Sequence, residues 1–227
     1  MNAHATTVSA PDDQALAQRC AQGDVAAFTL VMRRYNQRLF RVARAALRDD
    51  AEAEDALQDA YVRAFRAFGQ FRGEAALSTW LTRIVLNECL ARRRRSARRE
   101  NVVPITGAGE AGVELDEIVD TAGERPEAMA MRTELRALLE AKLDALPHDL
   151  RTVFVMRSVE DMTVEEVARC LDAPEATVRS RHFRARALLR EALARELDAV
   201  EIDAFRFAGD RCDRIVATVL ARLRDPG

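Results

Sequence analysis

Residues 163–190, TVEEVARCLDAPEATVRSRHFRARALLR, restrict the fold more than any other stretch. Thr163 with Glu166 three positions on is the pattern of a capping box, in which each residue satisfies a free amide of the other at a helix start. Val164, Val167, Ala168 and Leu171 then form one apolar helical face. Asp172-Ala173-Pro174 stops that helix, because proline cannot continue a helix yet is accepted where the next begins. In the second helix Val178, Ala185 and Leu189 recur at i, i+7 and i+11 and face inward, while Arg179, Arg186 and Arg190 repeat one residue later. Ser180, Phe183 and Arg184 lie beside them, and periodicity alone leaves Phe183 undecided between core and open face. A helix that packs by one stripe and offers Arg and Ser on the other suits a DNA major groove.

The rest of the chain is expected to be helical as well. Nearly half of its 227 residues are apolar and aromatics are few, and no alternating pattern persists long enough for a sheet. Helices are expected at about 13–22, 25–47, 52–68 and 77–95, then over about 126–146 and 149–159, with the second helix of the 163–190 pair running to about residue 197. Residues 1–11 have the composition of a frayed tail. Residues 100–126 hold Gly, Pro and a clear acidic excess, the composition of a linker. The expected architecture is therefore all-α: helical domains at 12–99 and 127–197, an acidic linker between them, and a short extension at 198–227. In that extension 199–207 is expected to be extended, and Asp210 to cap a helix. Its stripe of Cys212, Ile215, Val216, Val219, Leu220 and Leu223 either packs on its own domain or meets a partner.

The formal net charge is only −2, but its segregation matters more than the sum. Arg92, Arg93, Arg94, Arg95, Arg98 and Arg99 crowd one helix end, where they form either a solvated terminus or a phosphate-binding cluster. Phe71 and Trp80 bracket the loop Gly69-Gln70-Phe71-Arg72-Gly73-Glu74, whose aromatics, Arg and free backbone groups are able to hold an unpaired base. Tyr61, Phe65 and Phe68 follow a core stripe, and Asp55, Gln58 and Asp59 lie on the opposite, exposed face. Cys20, Cys89, Cys170 and Cys212 are scattered, the pattern of buried thiols in a reducing compartment, and no spacing suits a zinc site. No apolar run reaches transmembrane length and no signal peptide is evident, so a soluble, intracellular protein is expected. No phosphate loop, activated nucleophile or paired carboxylates suggest an enzyme or a cofactor.

Two segments, residues 50–95 (DAEAEDALQDAYVRAFRAFGQFRGEAALSTWLTRIVLNECLARRRR) and 143–193 (LDALPHDLRTVFVMRSVEDMTVEEVARCLDAPEATVRSRHFRARALLREAL), resemble regions 2 and 4 of the extracytoplasmic-function sigma factors, the smallest members of the sigma-70 superfamily. The resemblance, with the helices preceding each segment, covers about residues 12–195. It implies a promoter-specificity factor that binds core RNA polymerase through the β′ clamp helices and the β flap, recognises promoter DNA, and helps to melt it. Asp55, Gln58 and Asp59 match the surface that grips the clamp helices. Phe71, Arg72, Gly73 and Glu74 match the loop that captures a flipped −10 base, and Arg83 and Asn87 match positions facing −10 DNA. Arg92 and Arg93, in the cluster to Arg95, would contact backbone phosphate. Arg179, Ser180, Phe183 and Arg184 match the positions that meet the −35 element. The resemblance also implies a linker that threads the RNA path, and an anti-sigma factor as a common partner. Family members usually end soon after the recognition helix, so 198–227 is an addition. The competing reading is a stand-alone helix-turn-helix regulator of duplex DNA, with a structural or RNA-binding helical protein more distant.

Overall fold

The computed structural model describes residues 12–100 and 126–203. The tail at 1–11, most of the acidic linker, and the capped helix expected after Asp210 lie outside the described residues. The described elements are all helical: α1 (Asp13–Ala21), α2 (Val25–Leu47), α3 (Asp50–Ala67), a 3-10 turn (Phe68–Gln70), α4 (Leu77–Glu100), α5 (Pro126–Asp144), α6 (His148–Phe154), a π-helical turn (Val155–Val159), α7 (Val164–Leu171) and α8 (Glu175–Asp203).

Local chemistry explains most helix ends. Asp24 caps α2 by accepting the Ala27 amide at 3.0 Å, and Asp49 caps α3 by accepting that of Glu52 at 2.8 Å. Arg48 closes α2 in the left-handed conformation, φ 65°. The expected capping box is present, with Thr163 Oγ1 accepting from the Glu166 amide at 3.2 Å and Glu166 Oε2 accepting from the Thr163 amide at 2.7 Å. Asp172, also left-handed, ends α7, and the Pro174 carbonyl accepts the Val178 amide that opens α8. Two helices outrun their expected ends. α4 continues to Glu100, and α8 continues through Asp203 where 199–207 was expected to be extended. Both tails lack Gly and Pro, so no helix breaker stops them.

Helices α1 to α4 pack as a bundle. Phe28, Val31, Leu39 and Val42 of α2 meet Leu57, Tyr61 and the small Ala53, Ala56, Ala60 and Ala64 of α3, with Leu81, Val85 and Leu86 of α4. The same apolar cluster runs on through Val153, Met156, Met162, Val167 and Val178. Helices from both sides of the linker therefore share one core, in which α6 packs on α2 and α7 packs on α4. The boundary between two compact units falls within α8, between Arg186 and Ala187.

Where α6 and α7 join the bundle, polar contacts add to the apolar core. The Arg151 guanidinium, 2 % exposed, donates to the carbonyls of Ala45 (2.6 Å), Asp144 (3.1 Å) and Leu146 (3.1 Å). These carbonyls lie in the last turn of α2 and just at and beyond the end of α5, where helices leave acceptors without partners. One buried cation thus serves two negative helix ends. Burial pushes its pKa down to about 10 despite nearby Asp144. Arg44 bridges Asp50 and Asp144, the latter at 2.7 Å. The π-helical turn brings the Glu160 amide back to the Val155 carbonyl and sets the Glu160 carboxylate between Arg38 (3.8 Å) and Arg41 (3.6 Å).

Candidate nucleic-acid interface

The loop before α4 rests on an aromatic ladder. Phe28 meets Phe68 edge-on with centroids 5.8 Å apart, Phe68 meets Trp80 at 5.1 Å, and Trp80 meets Phe71 at 5.3 Å. Phe68 is fully buried while Phe71 and Trp80 are half-buried, so the ladder climbs from the core to the surface. Arg72, Gly73 and Glu74 stand exposed in front of it. Gly73 has φ +71°, a conformation glycine adopts without strain. Arg83 and Asn87, one turn apart on α4, are exposed beyond the loop. A half-buried π surface beneath an exposed loop carrying Arg72 suits an unstacked base.

The basic end of α4 divides into two environments. Arg93, Arg94, Arg95 and Arg98 are exposed, but the Arg92 side chain is only 18 % exposed. Arg92 was expected to face phosphate, and the structure turns its guanidinium onto α3: 2.5 Å from Asp59, 3.3 Å from Glu52 and 4.0 Å from Asp55. It also lies 3.4 Å from Glu88 Oε1. Desolvation opposes the charge, yet the Asp59 and Glu52 carboxylates hold its pKa above the ordinary value. Asp55, Gln58 and Asp59 are exposed on one face of α3, as expected.

On α8, Val178, Ala185 and Leu189 are buried, while Arg179, Ser180, Phe183 and Arg184 are exposed. Phe183, ambiguous by periodicity, is 70 % exposed and lies on the open face with the arginines. Arg179 pairs with Glu175 at 2.9 Å. Glu166 of α7 accepts a 3.0 Å hydrogen bond from Thr79 of α4 as well as capping α7, and so ties α7 to α4. Cys20, Cys89 and Cys170 are buried and free, and desolvation pushes the Cys89 and Cys170 thiols up to about 12, so they stay protonated. Among the described residues no cluster is arranged to hold a metal, and no helix is long and apolar enough to cross a membrane.

Sequence reasoning missed Glu88, Arg151 and Glu160. Glu88 carries a legible signal, because it falls on the buried α4 stripe of Leu81, Val85 and Cys89. A carboxylate on an apolar stripe demands a cationic partner.

Comparison with known proteins places these surfaces in a family. The model for sigma-70 region 2 matches residues 31–99 and that for sigma-70 region 4 matches residues 136–189. The RNA polymerase sigma-H factor of Pseudomonas aeruginosa is 35% identical over 174 residues, 77% of this chain and 90% of that protein. The ECF RNA polymerase sigma-E factor of Escherichia coli K12 is 34% identical over 178 residues, with coverages of 77% and 90%. Among solved structures, CnrH in complex with the cytosolic domain of CnrY is similar at TM-score 0.56 and 27% identity, covering 80% of this chain and 97% of that one. The sigma factor RpoE of Bartonella quintana, solved with the anti-sigma factor NepR, has the same fold at TM-score 0.60 and 20% identity, with coverages of 74% and 96%. With both regions matched in order and relatives spanned over nine-tenths of their length, the chain belongs to the extracytoplasmic-function branch of the sigma-70 family of RNA polymerase sigma factors.

Proposed function

We propose that this sigma factor binds core RNA polymerase through Asp55, Gln58 and Asp59. It holds an unpaired −10 base at Phe71, Arg72, Gly73 and Glu74, faces adjacent −10 DNA with Arg83 and Asn87, and contacts phosphate with Arg93. It meets −35 duplex with Arg179, Ser180, Phe183 and Arg184. Its role is to direct initiation and promote melting, with no reaction of its own, acting where polymerase and promoter are, in the cytoplasm. The two domains, 12–99 and 127–197, divide these tasks. An anti-sigma factor is a further partner of this reading.

The observation that carries it is the pairing, on one chain, of an aromatic-backed loop open to solvent with an Arg- and Phe-bearing helix face that packs by its other side. A stand-alone duplex-binding regulator has use for the second surface and none for the first. The test is transcription in vitro by the full chain with core polymerase on a pool of genomic fragments. Initiation at defined promoters is expected. Arg184→Ala should weaken −35 recognition by about 1–3 kcal/mol if it reads a base edge. Asn87→Ala should change −10 preference with core binding intact. Failure to associate with core would overturn the proposal.

A further inference from the structure

Glu52, Asp55 and Asp59 form one acidic stripe on α3 at i, i+3 and i+7, each more than half exposed at the side chain. Like charges on one helical face repel. Arg92 of α4 spans them from the side, with Nη1 toward Glu52 and Asp55 and Nη2 on Asp59. Behind it lies Glu88, whose side chain is 1 % exposed. Arg95 donates to Glu88 Oε1 at 3.0 Å, and Arg63 lies 2.9 Å from Oε2 at an angle that makes the contact ionic. A carboxylate removed from water needs such cations, and it anchors the guanidinium from below.

We infer that Arg92 is a positioning residue of the polymerase-binding surface: it fixes Asp59 and its acidic neighbours in the geometry that meets core, and it does not contact promoter phosphate. Nη1 donates to Glu52 and Nη2 to Asp59, Nε makes an ionic contact with Glu88, and little of the guanidinium reaches solvent. Arg93, the next residue, is exposed and free to take the phosphate role. The basic run therefore serves two partners, one through α3 and one directly. Only a planar fork bridges several carboxylates at once, so lysine is a poor substitute despite its charge.

The inference rests on the proposed α3 surface, and the experiment separates the two. Core affinity of the full chain is measured for Arg92→Ala, Arg92→Lys, Arg93→Ala and Asp55→Asn, alongside thermal melting and transcription at rising chain concentration. Arg92→Ala and Arg92→Lys are expected to lower core affinity by about tenfold, and saturating chain should restore transcription to the wild-type plateau. Combining Arg92→Ala with Asp59→Asn should lose little more than Asp59→Asn alone. Arg93→Ala should keep core affinity and lower the salt slope of promoter binding by about one. A reduced plateau for Arg92→Ala with unchanged core affinity would assign the residue to DNA and overturn the inference. Unaltered core affinity in Arg92→Lys, which keeps the charge and avoids a cavity, would overturn it also. If Asp55→Asn leaves core affinity intact, the α3 surface itself is wrong.

Discussion

The α1–α4 bundle and the joint where α6 and α7 meet it share one apolar core, but the joint is also tied by a dense set of ions and hydrogen bonds to backbone. The bundle is closed by Phe28, Leu39, Tyr61, Phe68 and Leu81 around a floor of alanines. The joint adds Arg151 on three carbonyls, Arg44 on Asp50 and Asp144, Glu160 between Arg38 and Arg41, and Thr79 on Glu166. Apolar contacts tolerate sliding, whereas hydrogen-bonded ions require one register. The joint is thus the more narrowly specified of the two. Cutting each should separate the two.

The largest loss is expected from the bundle. Phe68 is 1 % exposed and touches Phe28 and Trp80. Phe68→Ala should cost about 3–5 kcal/mol in denaturant unfolding. It should also loosen Phe71, which leans on Trp80, and so depress −10 binding in the folded fraction. A loss smaller than that of the joint variant below would reverse the comparison.

Arg151→Met keeps length and apolar stem but leaves three carbonyls without their donor. A loss of about 2–3 kcal/mol is expected, since a buried acceptor stripped of its partner costs more than the bond was worth. Hydrogen exchange sharpens the point: amides of α6 and α7 should exchange faster while those of α2 and α3 stay protected. Equal loss of protection in both would mean that joint and bundle open as one.

This contrast explains what could be read in advance. The capping box, the Asp172–Pro174 break and the inward Val178, Ala185 and Leu189 depend on residues a few positions apart, so spacing reveals them. Arg151 bonds a carbonyl of Ala45, 106 residues away, and a backbone acceptor has no residue type to betray it. The Arg92 cluster shows the same limit, because a charge run reveals that partners are needed and not whether they are phosphates or carboxylates from α3. The change of composition at 100–126 marks a linker, but composition says nothing about whether the helices on either side share a core.

The smallest effect tests whether the joint responds to pH. His148, at the start of α6, lies beside Ala46, Leu86, Leu90, Asp149 and Arg181. Burial pushes its pKa down from 6.5 to about 4; Arg93 and Arg151 push the same way against Asp149. A histidine that titrates lower when folded binds fewer protons than the unfolded chain between those values, so stability is full above pH 6.5 and falls as pH drops toward 4. At about 1.4 kcal/mol per unit of pKa, the loss at pH 5.5 relative to pH 7.5 is about 1.4 kcal/mol. His148→Gln cannot take up the proton and should flatten that part of the profile. The rest of the acid slope should remain, since it belongs to carboxylates. Denaturant unfolding of both proteins at the two pH values is the measurement. A mutant that retains the full slope would show that His148 is solvated in the folded chain and that the joint is wetter than its packing implies.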